Sequence, residues 1–491
     1  MNRRLLYLIT GLLILAILVA ACQQATPDTS AVDSANAAAQ EAQTKLSAAE
    51  ATLAAVQANA QASQSELATA QAEAENAKAE AQTAKAEVDA MSQKTPESVS
   101  LTVWYLSQSP EEIALMQKMG DQFAAQHPGV TIDFSPYSFE DMNNTLRLAL
   151  DGGVGPDVAY ASPGPSHGGA YAKAGHLLDL TQIAKDRGWT DHYASDVISY
   201  FNDDPNKIYQ MPFDLVTIGV FYNTEIFKQL GLEEPTTFAE FEDILAKIKA
   251  AGITPISVGA LDGWPLQHIW DQLVHTSVPI QDLAALEKPD PSATYDRPEF
   301  VAAAAKLKEW YDKGYFNDNM LATSYADGNN LFINGKAAIN IGGTWNNGTF
   351  STQPDFTVGF FPMPQVNPDL EWHMGGFTPN NAWMIPVYTP HRDLAIDYVD
   401  YMVGKDVATA KWNAGDIPGY KFDPVPEPVS LLQKGVYDAM QKTGTGYYLG
   451  NVNSELQSEI WNALQSMIAG KFTPEQAMAD IQKVYVSIAN P

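Results

Sequence analysis

The sequence predicts an α/β globular part of two lobes standing behind a long helical segment. Three observations carry that expectation. From Val99 onward, β-rich stretches alternate with helical ones, the pattern of βαβ units with parallel strands. The stretch from Val99 to Pro491 is longer than one hydrophobic core ordinarily organises. Between Asp28 and Thr95 there is no glycine, proline or aromatic residue, and Ala, Gln and Glu dominate.

Charge and cysteine usage narrow the function classes first. With 58 acidic against 29 basic side chains and a formal charge of -29, a partner held through nucleic-acid phosphates is excluded, and a secreted or surface-exposed protein fits. The single cysteine, Cys22, rules out an intrachain disulfide and a thiolate zinc site.

Arg3 and Arg4 precede an apolar run from Leu5 to Ala21, the layout of a secretory signal. Val19-Ala20-Ala21-Cys22 follows and resembles a bacterial lipobox, which implies a signal peptide over 1–21 and a lipid on Cys22. The alternative is an uncut anchor, because a run of about 17 residues is near the lower limit for a membrane span. Either way the remainder sits on the extracytoplasmic face of the cell membrane. A short linker, 22–31, then leads into the helical spacer, 32–94.

Apolar or small residues recur there every seven positions, from Val32 and Ala39 through Leu46 and Leu53 to Val88. A second series runs three later, from Ala35 to Met91, with one polar break at Ser63. Glu73 with Lys78 and Glu80 with Lys85 stand as g-to-e pairs of a parallel coiled coil. Alanine buries little area, so both a solitary spacer helix and a self-associating coiled coil remain open. A continuous helix would reach roughly 90 Å at 1.5 Å per residue.

In the globular part, 99–491, LTVWYLS reads as a strand, and Ser109-Pro110-Glu111-Glu112 caps a helix running to about Gln126. VTIDFS is a second strand after Pro128-Gly129, a helix begins near Phe139, and GPDVAYAS is a third strand. The alternation continues with helices at 237–250 and 297–313, the strand TPISVGA, and helices after His391, Asn453 and Thr473. The stretch Lys336 to Trp345 organises the rest: Ala337, Ala338, Ile339 and Ile341 form a buried strand interrupted by Asn340. Gly342 and Gly343 then turn the chain and leave room for a ligand, and Trp345 follows at the strand's carboxyl edge, where open α/β sheets bind ligands.

Taken in order, GPDVAYAS with YAKAGHLLDLT, IYQMPFDLVTIGVFYNTEIF, GKAAINIGGTW, MGGFTPNNAWMIP and GKFTPEQAMADIQ resemble signature segments of one family. These are the extracellular solute-binding proteins of ABC importers, in the sugar-binding branch. His176 departs from the pattern by separating a glycine from the leucines, and the helical spacer lies outside it. The resemblance implies a type II periplasmic-binding-protein fold with a hinge. It also implies a lipid-anchored receptor that binds a sugar or oligosaccharide and delivers it to ABC permease subunits, with no catalysis and no cofactor.

Gly164-Pro165-Ser166-His167-Gly168 fits G-x-S-x-G between a strand and a helix, so a surface glycan-processing hydrolase is the alternative. Pro163 and Pro165 stiffen that turn, which favours a polar loop at the cleft edge. A structural tether is a third class. No phosphate-binding loop and no tight metal-ligand cluster occurs, and His268 and His275, seven positions apart, are not close enough on a helical face to ligate one ion together.

A pyranose offers an apolar face to aromatic rings and a rim of hydroxyls to acids and amides. The expected ligand-binding residues are therefore Tyr105, Ser107, Gln108, Ser162, Gly164, Asp214, Trp264 as a loop aromatic, Trp345, Gly375 and Gly376. Asp214 reads equally as a hinge or turn carboxylate.

Overall fold

The strands of the globular part assemble into two principal sheets because their apolar residues alternate between faces or fill both. The computed structural model describes residues 29–58, 64–92, 98–107, 109–194, 197–198, 202, 204, 206–287, 290, 292–371, 378–441, 446 and 449–489. Cys22 with its signal segment, and the candidates Gln108, Gly375 and Gly376, lie outside the described residues.

Among the described residues eleven strands follow in chain order: β1 Val99–Leu106, β2 Val130–Tyr137, β3 Val158–Ala161, β4 Met211–Pro212, β5 Leu215–Val216, β6 Ile218–Asn223, β7 Thr254–Ser257, β8 Ala337–Gly343, β9 Val358–Phe361, β10 Thr378–Pro379 and β11 Ala382–Met384. The first lobe is built on the sheet β2-β1-β3-β11-β4, in which β1 and β3 are parallel and β11 runs antiparallel to β3 and β4. The second lobe is built on β7-β8-β6-β9, with β7 parallel to β8 and β6 antiparallel to both its neighbours.

Every residue of β6 and β8 is buried. Ile218, Val220 and Tyr222 point into one core with the helices Trp264–His275, Ser454–Ile468 and Pro474–Ala489, while Phe221 points into a second core with Phe332, Phe350 and Phe360. Asn340, the polar break, is satisfied in place: its Nδ2 donates to Ser257 Oγ and to Asn329 Oδ1, each at 3.2 Å. The first lobe has its own core of Met142, Leu146, Leu150, Ala159, Ala161 and Met384.

Among the described residues three chain segments, at 213–216, 378–380 and 417–419, run between the lobes and are joined by hydrogen bonds. β5 pairs with β10 through Thr378 opposite Val216 and Pro379 opposite Leu215. The third segment joins through Leu215 N–H to Ile417 O at 2.8 Å and Gly419 N–H to Phe213 O at 2.7 Å.

The described residues divide into two compact units, one up to Ser100 with Asp121–Ile132, the other Leu101–Gly120 with Asp133 onward. The first contains the alanine-rich segment as two helices, Thr29–Ala58 and Gln64–Ser92, packed on each other through Leu46, Ala49, Leu53, Ala74 and Ala77. Lys45 Nζ lies 3.9 Å from Glu80 Oε2 across them. The seam therefore buries itself within one chain, and the roughly 90 Å rod that a single helix would make is not what forms. Pairing two halves of one chain avoids the entropy of bringing separate chains together, which a seam this poor in apolar area offsets only weakly. Among the described residues, no helix is long and apolar enough to cross a membrane.

Candidate ligand cavity between the two lobes

Helix starts supply much of the site. Ser109 Oγ accepts from Glu112 N–H at 3.3 Å and Ser138 Oγ from Asp141 N–H at 3.1 Å, which opens the helices Pro110–Gln126 and Phe139–Gly152. Their first turns, carrying Glu112 and Phe139, face the second lobe across a cavity of about 410 Å³. On the other side stand Trp264, Tyr325, Trp345 and Trp461, with Gln267, His268 and the amides Asn329, Asn346 and Asn451. Thr378, Asn380 and Asn381 form its wall at the crossing segments.

Aromatic rings dominate one side of this space. Trp345 meets Trp264 at 6.0 Å between ring centroids with planes at 65°, and Trp264 meets Tyr325 at 4.3 Å. Trp345 Nε1–H donates to Tyr325 Oη at 2.7 Å, and Tyr325 O–H donates to Asn346 Oδ1 at 2.8 Å, so both rings are fixed in orientation. Contacts also join the lobes across the cavity: Ser166 Oγ to Asn451 Oδ1 at 2.7 Å, Trp264 Nε1 to Glu140 Oε1 at 3.3 Å, and Glu111 with Thr349 at 3.2 Å and Gln353 at 2.7 Å.

Of the residues singled out from sequence, Ser107, Ser162, Trp264 and Trp345 line the cavity together. Trp264 does so from the first position of the helix Trp264–His275, with Pro265 in the first turn, where a loop was expected; Pro lacks only an N–H that is unpaired there anyway. The glycine pair acts differently from the expectation as well. A Cβ on Gly343 would lie 2.2 Å from the Trp345 ring, so the space beside the backbone is filled by that indole rather than left to a ligand. Tyr105, Gly164 and Asp214 stand behind the wall. Gly164 N–H donates to Gln210 Oε1 at 3.2 Å, and Tyr105 is fully buried, stacked on Tyr160 at 4.6 Å.

Sequence reading missed the ionic cluster to which Tyr105 and Asp214 belong. Lys411, 2% exposed, places its Nζ 2.7 Å from Glu112 Oε1, 2.9 Å from Asp416 Oδ2 and 3.1 Å from Asp214 Oδ2. Tyr105 O–H also donates to Glu112 at 2.9 Å, Ser107 O–H to its other oxygen at 2.7 Å, and Tyr160 O–H to Asp214 at 3.0 Å. Burial works to raise Glu112, but Lys411 and these hydrogen bonds outweigh it and hold the carboxyl below its usual range. Burial pushes Asp214 up to about 7 against the pull of Lys411, with Asp416 and Glu112 adding to the rise. Burial likewise raises Asp416. For Lys411 burial is outweighed by its three carboxylates, and its pKa lies well above the usual value.

The G-x-S-x-G stretch does not form a nucleophile and base of the hydrolase kind. Ser166 Oγ lies 3.0 Å from Nδ1 of the adjacent His167 and is committed to Asn451. Burial holds His167 down to about 4, and among the described residues no carboxylate hydrogen-bonds it to orient a base.

The sequence of residues 107–409 matches the family model described as bacterial extracellular solute-binding protein. Among curated relatives, the multiple sugar-binding protein of Streptococcus mutans is 28% identical over 308 residues, 62% of this chain and 71% of that protein. The melibiose/raffinose/stachyose-binding protein MelE of Bacillus subtilis is 22% identical over 326 residues, 65% of this chain and 74% of that one. Among solved structures, a chitin oligosaccharide binding protein superposes with a TM-score of 0.73 at 24% identity, covering 80% of this chain and 100% of its own. The raffinose complex of RafE gives 0.67 at 21%, with 80% and 100% covered.

Proposed function

This chain belongs to the bacterial extracellular solute-binding proteins, and we propose that it is a lipid-anchored receptor that captures a sugar or oligosaccharide outside the cytoplasm and hands it to ABC import permease subunits. The observation that carries the ligand class is the cavity wall: three tryptophans and a tyrosine on one side, amides and hydroxyls around them. Rings supply apolar platforms for pyranose faces, and the amides supply donors and acceptors for hydroxyls. Relatives named for sugar binding support the reading.

In this reading residues 1–21 are removed as a signal peptide and Cys22 carries the lipid. The linker 22–31 and the helical spacer 32–94 hold the binding domain, 99–491, away from the membrane. Ser107, Ser162, Trp264 and Trp345 contact the ligand, and so do Gln108, Gly375 and Gly376, which lie outside the described residues. Tyr105, Gly164 and Asp214 act from behind the wall by fixing its shape. A ligand touching both lobes binds their approached arrangement more tightly than their separated one, so it shifts that population, and the permease reads the result. Nothing in this cycle requires bond breaking.

A thermal-shift screen over neutral mono- and oligosaccharides tests the proposal. A ligand at 100 times its dissociation constant stabilises by about 2.7 kcal/mol. A melting temperature unmoved by every member of the screen would refute it.

A further inference from the structure

We infer that the cavity selects its ligand by charge, admitting uncharged glycans and rejecting those that carry a carboxylate or phosphate, with Glu112 as the specificity-determining residue. The inference rests on the sugar-receptor reading and narrows it. Among the described residues that line the cavity, Glu112 is the sole Asp, Glu, Lys or Arg. Its side chain is 15% exposed, and the cation beside it, Lys411, is shared with Asp214 and Asp416. One positive charge thus faces three carboxyl groups directly behind the wall.

Other charges tied to the lining have the same sign. Glu111 accepts from Thr349 and Gln353, and Glu140 accepts from Trp264. Hydrogen bonds from Gln353, Ser109 and Thr349 keep Glu111 below its ordinary pKa although burial opposes them. The two histidines of the wall offer no counter-charge, since burial holds His167 down to about 4 and His268 to about 3. An anionic sugar would therefore lose its water in a space of negative potential with no cation among the described lining residues to receive it. Two like charges about 6 Å apart at an effective dielectric constant of about 20 repel enough to weaken binding about a hundredfold.

The groups that set this potential around Asp214 are Lys411, Asp416 and Glu112, with the Tyr160 hydroxyl donating to it and Tyr105 and Tyr193 within electrostatic reach. Asp214 is outside the lining, so Asp214→Asn removes charge without removing a ligand contact. Glu112→Gln removes the charge at the wall itself.

The experiment is calorimetric titration of the full-length protein at pH 8 with maltotriose, cellotriose, chitotriose and raffinose, each beside its counterpart oxidised at a primary hydroxyl to a carboxylate. The expected result is that every ligand bound is a neutral form, with its oxidised partner about a hundredfold weaker. The gap should shrink to about tenfold in Glu112→Gln and narrow in Asp214→Asn. An oxidised form bound within threefold of its neutral partner would overturn charge selection while leaving the sugar reading intact. Should Glu112→Gln fail to fold, an unchanged gap in Asp214→Asn would overturn it equally. Binding by none of the eight compounds would count against the sugar reading itself, and charge selection would fall with it.

Discussion

Lys411→Met tests whether the buried cluster holds the crossing region together. The substitution keeps the volume of the stem but leaves Glu112, Asp214 and Asp416 without the cation that lies 2.7, 3.1 and 2.9 Å from them. Removing one partner of a buried ionic group costs about 3–5 kcal/mol, because the charges left behind are neither solvated nor paired. The pH dependence separates this cause from lost packing. In the wild type Asp214 is raised to about 7, while in the unfolded chain an aspartate titrates near 3.9. Between those values the folded state binds a proton that the unfolded state does not, so this group makes stability fall as pH rises through the window. Without Lys411 all three carboxyls move upward, and the fall becomes steeper. Melts of both proteins from pH 5 to pH 8 should show the variant at least about 5 °C lower at pH 8, with the gap shrinking toward pH 5 as protons replace the lost ammonium. Asp214→Asn should instead flatten the wild-type decline. Parallel profiles for Lys411→Met and wild type would refute the electrostatic account, and equal stability at pH 8 would refute the cluster's structural role.

Trp345→Ala should lower ligand affinity about tenfold to a thousandfold by calorimetry, with a stability loss below the about 3–5 kcal/mol of a fully buried tryptophan; unchanged affinity in a folded variant would remove Trp345 from the site. A peptide spanning 29–92 should be a helical monomer by circular dichroism and sedimentation, because its alanine faces already pack within one chain; a dimer at micromolar concentration would show that the seam pairs between chains. Cys22→Ser should abolish labelling by fatty acid in cells, and label retained on the variant would exclude that cysteine as the anchor point.

The fold was legible where one element declares itself within a few residues. Ser109-Pro110-Glu111-Glu112 announces a helix because capping is a contact over three positions, and the helix Pro110–Gln126 forms as read. The β8 strand is legible because burial on both faces demands a continuous apolar run, and even its exception, Asn340, is answered by polar groups on β7 and on the helix Tyr325–Ile333. The hairpin of the alanine-rich segment was not legible, because a heptad pattern states which faces are apolar and leaves open whether the partner face is on another chain or on the same one.

The site shows the same division more sharply. Trp345 could be placed by its position after a buried strand, a local fact, but its relation to Gly343 came out inverted: the missing side chain makes room for the indole itself. Glu112 and Lys411 are 299 positions apart, and neither stands out in its own segment, since a glutamate in a first turn and a lysine in a helix are ordinary surface residues. What turns them into the charged floor of the cavity is the crossing of three chain segments at Asp214, Asn380 and Pro418, which brings the first turn of one helix against the last turn of another. A lysine that is 2% exposed pays for its lost hydration only if several acceptors surround it, and Lys411 has three carboxylates. The arrangement is over-supplied with negative charge relative to that need, since one carboxylate would neutralise it. Burial, with Asp416 and Glu112 adding to it, raises Asp214, while Lys411 and the hydroxyls of Ser107 and Tyr105 keep Glu112 ionised at the wall of the cavity, which is why the cluster bears on ligand choice as well as on stability.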